Sequence, residues 1–249
     1  MRKCRGIVET IVAISLFLVW EFSPLPPYVL PPPSAILREI VRQWNLLMDH
    51  SFFTLLEAFA GLLLGLFMGV GLAVAMDLSE VLRRMLYPFL VISQAVPLVA
   101  IAPLIVIWFG LGIGTKIGTV AFVSLFPIAM NTLEGMRTVD PDALDLFKVL
   151  KARKRQVYTY LVVPHTLPYV LSGLKVSATY SVVSAVIAEW LGAEKGLGVY
   201  MIRAMNTFRT DRLFASVVLV LIFSLGIFKL VDLVSKKLTP WFEERRLKV

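Results

Sequence analysis

The chain has 249 residues, 58% of them hydrophobic, and carries 25 Lys and Arg against 17 Asp and Glu. Soluble domains are roughly 45–50% apolar, and one soluble core of this length cannot hide the excess, which excludes an ordinary soluble enzyme. The single cysteine, Cys4, rules out an internal disulfide, and two distant histidines, His50 and His165, give no basis for a metal centre.

The N-terminal end places Arg2, Lys3 and Arg5 ahead of an apolar stretch over 7–20. This has the shape of a secretory signal, but Glu21-Phe22-Ser23-Pro24 follows instead of a small-residue cleavage site. The stretch is read as an uncleaved first span, 8–22, interrupted by Glu9. Residues 23–36 are proline-rich, and because proline fixes φ and lacks an N–H, an extended connector is expected there. Ser34 is the expected cap of an amphipathic surface helix over 35–48, with Ile36, Leu37, Ile40, Val41 and Trp44 on its apolar side.

Residues 58–76, 85–115 and 117–133 contain no charge. A helix needs about 20 mostly apolar residues to cross a bilayer core. Further spans are therefore expected at 55–76, 85–108, 115–134, 173–191 and 213–235, within a membrane core of 52–236. Gly61, Gly65 and Gly69 recur every four residues on one helix face, a pattern that lets another helix approach closely. The third span holds Pro88, Pro97 and Pro103 together with Ser93 and Gln94. Proline within a membrane helix frees carbonyls that only protein or water can satisfy. A kinked helix lining an internal cavity is the expectation, with Gln94, Pro97 and Trp108 on a solute path. Gly110-Leu111-Gly112-Ile113-Gly114-Thr115-Lys116 approaches the phosphate-binding G-x-x-x-x-G-K-[ST] pattern, but no hydroxyl follows Lys116. It is read as a tight turn, so ATP hydrolysis is not expected of this chain. Glu57 and Glu189 are ionisable groups in or beside apolar segments and join the solute-path candidates.

Between the fourth and fifth spans lies a hydrophilic segment, about 135–170. Asp140 is placed to cap a helix, Pro141 suits its first position, and Asp142 complements its dipole. Leu144, Phe147 and Leu150 then recur on one face, and a second short helix is expected over 156–161, ending near Pro164 and Pro168. Two short helices with an apolar side suit a docking knob for a partner. Lys148, Lys151, Arg153, Lys154 and Arg155 cluster here. The excess of Lys and Arg in this and alternate loops puts the segment and both termini on the cytoplasmic side, with Arg245, Arg246 and Lys248 contributing at the C-terminal end.

The segment resembles the EAA loop of ABC importer permeases, whose spacing is E-A-A, three residues, Gly, nine residues, I-x-L-P. Asp145-Leu146-Phe147 stand in the E-A-A places, Lys151 in the Gly place, and Leu161, Val163 and Pro164 in the I, L and P places. Only Pro164 keeps the residue identity, and Lys151 departs where a turn residue with φ > 0 is normal. Ala95-Val96-Pro97-Leu98 through Trp108-Phe109-Gly110, and Ile187-Ala188-Glu189-Trp190-Leu191-Gly192 with Gly196-Leu197-Gly198, are similar to the branch importing sulfonates, nitrate, taurine and pyrimidine precursors. The resemblance implies an all-α polytopic fold of the type I importer class, with about six transmembrane helices in a single permease domain, 1–249. It also implies a homodimer in the bacterial inner membrane, two copies of a separate cytoplasmic ATPase that uses ATP and magnesium, and an external solute-binding protein. Within that branch the chain looks more like the thiamine-precursor pyrimidine or riboflavin transporters than the sulfonate, taurine or nitrate ones. No nucleic-acid motif is present, no cofactor is expected on this chain, and an ion-coupled transporter or channel is the rival class.

Overall fold

The computed structural model describes residues 2–241, the side chains of residues 2–10 and 13 apart, and contains no strand among them. Eleven α-helices follow in order: α1 (Arg2–Glu21), α2 (Pro33–Arg42), α3 (Trp44–Leu78), α4 (Glu80–Ser93), α5 (Leu98–Phe109), α6 (Ile113–Arg137), α7 (Pro141–Val149), α8 (Lys154–Val157), α9 (Val163–Glu189), α10 (Leu197–Asn206) and α11 (Thr210–Leu238). A π-helical turn, Tyr158–Val162, joins α8 to α9. The basic C-terminal residues Arg245, Arg246 and Lys248 lie outside the described residues.

Four stretches are long and apolar enough to cross a membrane: Trp44–Leu78, Ile113–Arg137, Lys154–Glu189 and Thr210–Leu238. The bent pair α4–α5 makes a fifth if it counts as one span. The sixth expected span, 8–22, overlaps α1, whose Arg2, Lys3, Arg5, Glu9 and Glu21 leave it too charged for the same class. α6 is central, lying between α3 and α9. One core layer joins Ala58 and Leu62 of α3, Val120 of α6, Ala178, Val182 and Ala185 of α9, and Ile227 and Val231 of α11. A second joins Ala73 and Met76 to Leu90 of α4 and to Leu125, Ala129 and Leu133 of α6. A third, at the opposite end, gathers Leu47, Val186, Leu197, Tyr200 and Leu219. Small residues dominate where helices touch, because lipid offers large apolar side chains as good an environment as a neighbouring helix does.

Gly61, Gly65 and Gly69 all face α6. A Cβ on Gly61 would lie 2.4 Å from the Cβ of Val120, one on Gly65 2.7 Å from that of Ser124, and one on Gly69 2.9 Å from the Leu125 carbonyl. From the other side Gly173 of α9 meets the Pro127 carbonyl, where a Cβ would sit 2.8 Å away.

Three sequence expectations need correction. The third span is not one kinked helix: α4 and α5 meet at 113° across Gln94–Pro97. Proline disfavours α-geometry in the residue before it and cannot donate, so the chain stays non-helical between the Gln94 cap of α4 and Pro97, which caps α5. The surface helix is shorter than 35–48, because α3 already starts at Trp44; its N-cap is Pro32, with Pro33 at the first position, and the Ser34 N–H donates to Glu21 Oε2 at 3.0 Å. The second loop helix does not stop at Pro164 and Pro168. It passes through the π turn into α9, the Val163 N–H donating to the Tyr158 carbonyl. The wider π turn admits a proline at the start of α9, where its missing N–H costs least.

Candidate functional site

The break between α4 and α5 opens a cavity of about 660 Å³ against α6 and α9. Its wall comprises Ser93, Gln94, Val96, Leu98 and Ile101 from the break and α5, Phe122, Phe126, Met130 and Asn131 from α6, and Val176 and Tyr180 from α9. Among the described residues no charged side chain lines it. The polar groups divide by availability. Ser93 is committed to the Leu90 carbonyl at 2.8 Å. Asn131, which lines the cavity, donates its amide N–H to the Pro127 carbonyl at 2.8 Å. Pro127 and Asn131 are one turn apart, so the helix fixes the amide. The edge-to-face pair Phe122–Phe126, 4.8 Å between ring centres, forms one wall.

The expected solute-path residues separate in the structure. Gln94 lines the cavity and Pro97 caps α5 at its rim. Trp108 lies in a neighbouring, more apolar groove with Phe109, Gly112 and Gly114, which shares only Ile101 and Phe122 with the cavity. Gly110 (φ +79) and Gly112 make the tight α5–α6 turn. Glu189 is away from the cavity and 1% exposed. Its carboxylate accepts from Thr54 Oγ1 at 2.7 Å and from the Gly198 N–H at 2.6 Å, so it caps α10. The same threonine oxygen accepts from the Leu197 N–H at 2.8 Å, and His50 Nδ1 accepts from the Gly196 N–H at 2.9 Å. Glu57 is also buried and pairs with Lys116 at 3.2 Å. These acids bind helices together.

Asn131, Phe122, Phe126 and Tyr180 escaped the sequence reading as cavity residues. Phe122, Phe126 and Met130 recur at four-residue spacing in α6, a signal equally typical of a packing face. Tyr180 joins them only through the α6–α9 contact.

At the other end of the bundle α7 and α8 stand clear of the core and bury no residue. Asp140 accepts from the Asp142 N–H at 3.0 Å, with Pro141 at the first position. Leu144 and Phe147 are half-buried, while Leu146, Val149 and Leu150 point outward at 57%, 78% and 67% exposure. Asp145 pairs locally with Lys148 at 2.7 Å. The Ala152 N–H donates to the Phe147 carbonyl and the Lys151 N–H to the Lys148 carbonyl. This is a Schellman motif with Lys151 as its left-handed residue, and its φ is +51°. The turn therefore stays at the expected position despite the lysine. Leu161 and Pro164 are half-buried and Val163 is exposed along the run into α9. Among the described residues no group of three or more His, Cys, Asp or Glu could hold a metal ion.

Comparison with known proteins agrees with this architecture. Residues 61–243 match the family model described as binding-protein-dependent transport system inner membrane component. The formylaminopyrimidine transport permease protein ThiX of Halalkalibacterium halodurans is 33% identical, over 96% of this chain and 98% of its own length. The taurine transport system permease protein TauC of Escherichia coli is 28% identical, over 94% and 88%. Among solved structures, a methionine ABC transporter in inward-facing conformations superposes with a TM-score of 0.70 at 15% identity, covering 80% of this chain and 98% of the other. That last likeness shows the fold.

Proposed function

Because the chain belongs to the binding-protein-dependent transport system inner membrane components and is the permease of an ABC importer, we propose that its solute is a flat, uncharged heteroaromatic molecule of the formylaminopyrimidine class. The observation that supports this is the cavity wall. It offers amide groups from Gln94 and Asn131, a phenol from Tyr180 and the faces of Phe122 and Phe126, and no charge. Ring nitrogens and an exocyclic amine would match the amides, and the rings would stack on the phenyl faces. A sulfonate would have to shed water there without a cation to pair with.

The rest of the machinery follows from the same reading. α7 and α8 face the cytoplasm, as do both termini, and seat the ATPase, one copy per permease. ATP and magnesium are bound by that partner. A second copy of this chain closes the open side of the cavity, and an external binding protein delivers solute at the α10 end. ATP favours the outward-open state by binding it more tightly.

Uptake of radiolabelled formylaminopyrimidine and of taurine, by cells expressing the chain with its partner subunits, tests the assignment. Gln94→Leu and Asn131→Leu are expected to lower pyrimidine uptake about tenfold each, the equivalent of one lost hydrogen bond. Taurine uptake with no pyrimidine uptake would overturn the assignment.

A further inference from the structure

We propose that the hydrogen bond from Tyr158 to Asp77 is the tether through which the α7–α8 segment moves α3, and that α3 carries this displacement to the first turn of α10. The inference rests on the reading that α7 and α8 seat the ATPase. Tyr158 opens the π turn, and its hydroxyl donates to the carboxylate of Asp77, the penultimate residue of α3. The other side-chain hydrogen bonds within 141–162 are local: Asp140 with Asp142, Lys148 with Asp145, and Gln156 with Arg153. Among the described residues Tyr158 thus makes the only hydrogen bond or ion pair from this segment to another part of the bundle. A push on α7 leaves it along the backbone into α6 and α9, and through this one side chain into α3.

α3 is suited to carry such a push. It is an unbroken 35-residue helix without proline, about 52 Å long at 1.5 Å per residue. The parallel route through α4 and α5 is broken by the 113° bend. Where α3 comes closest to α6 it presents Gly61, Gly65 and Gly69. Its far end holds the start of α10, through His50 to the Gly196 N–H and Thr54 to the Leu197 N–H. Tyr158 and Asp77 are positioning residues in this scheme. They touch no solute and act through the helix between them and α10.

The test uses the full chain with its ATPase partner in lipid nanodiscs, with a reporter cysteine at Val96 in the cavity and Cys4 replaced by serine. The rate of maleimide labelling is measured with and without magnesium-ATP and vanadate. Nucleotide is expected to change the rate several-fold in the parent. Tyr158→Phe, which removes one oxygen and keeps the ring, is expected to reduce that change clearly while the ATPase still co-purifies and hydrolyses ATP. Asp77→Asn keeps an oxygen acceptor and should retain the response, whereas Asp77→Leu should reduce it as Tyr158→Phe does. The double variant Tyr158→Phe with Asp77→Leu should behave like either single one. A parental response in Tyr158→Phe, with the ATPase bound, overturns the tether alone. Failure of the ATPase to co-purify with the parent, or a parent indifferent to nucleotide, overturns the docking reading and the tether with it.

Discussion

The carboxylate of Glu189, at the last residue of α9, accepts the Gly198 N–H at 2.6 Å and thereby becomes the N-terminal cap of the next helix. Gly198 is required for this approach, because a Cβ there would stand 2.3 Å from the Val186 carbonyl and 2.9 Å from the Glu189 Cβ. Glu189→Ala would orphan the Gly198 N–H and weaken the hold on Thr54, whose hydroxyl has only the His50 carbonyl, at 3.3 Å, to fall back on. A buried donor left without its acceptor costs roughly 1–3 kcal/mol. The purified variant should melt clearly lower in detergent, and Glu189→Gln, which retains an oxygen acceptor, should recover most of the loss. An unchanged melting temperature in Glu189→Ala would show that the cap contributes nothing.

The α3–α6 seam predicts opposite outcomes for two glycines on one helix. Gly65→Leu forces a Cβ to 2.9 Å from the Ala121 carbonyl and 2.7 Å from the Ser124 Cβ. Both are fixed by α6, so the helices must separate, at a cost of about 3 kcal/mol or outright misfolding. Gly71 has nothing within 4 Å of an added Cβ. Gly71→Ala should be neutral or stabilise by up to about 1 kcal/mol, through reduced backbone freedom in the unfolded chain. Thermal melting of the two variants side by side checks the contrast.

Local rules made much of this legible in advance. Charge-free runs announced α3, α6 and much of α4–α5, and Asp140 followed by Pro141 announced the start of α7. The prolines were harder to read. Pro88, Pro103, Pro127 and Pro168 all sit inside helices, while Pro97 caps the start of one. Whether a proline bends or breaks a membrane helix depends on whether neighbouring helices shelter the freed carbonyls, which sequence spacing does not reveal. The cavity residues depended on the fold in the same way, since Gln94, Asn131 and Tyr180 come from three separate elements. Glu189 drew notice as an acid in an apolar stretch, but its partner Thr54 lies 135 residues away. Without that partner a buried helix cap looks the same as a solute ligand.

Lys151 occupies the left-handed position of the Schellman motif that closes α7. An L-residue there carries a penalty of about 1–2 kcal/mol relative to right-handed backbone, most of which glycine escapes. Lys151→Gly should therefore leave stability unchanged or raise it by up to about 1 kcal/mol, with ATPase binding intact. Lys151→Val, whose branched Cβ resists positive φ, should destabilise the loop and weaken ATPase binding. Hydrogen exchange of the Lys151 and Ala152 amides reads the turn directly, and faster exchange is expected only in the valine variant.

Leu146, Val149 and Leu150 form an exposed apolar face on a helix that buries none of its own residues. Leu150→Asp should therefore leave the melting temperature of the isolated permease unchanged, since the side chain is 67% exposed and supports no core contact. On the docking reading the same change places a charge within an apolar contact, where losses of about 2 kcal/mol, some thirtyfold in affinity, are typical of central interface residues. Titration of the detergent-solubilised permease with its ATPase subunit measures that shift. Equal affinity of Leu150→Asp and the parent would move the ATPase seat away from this face. Asp145→Lys, which reverses the charge beside the same face and removes the local pair with Lys148, should lower affinity less than Leu150→Asp, because an exposed ion pair contributes at most about 1 kcal/mol.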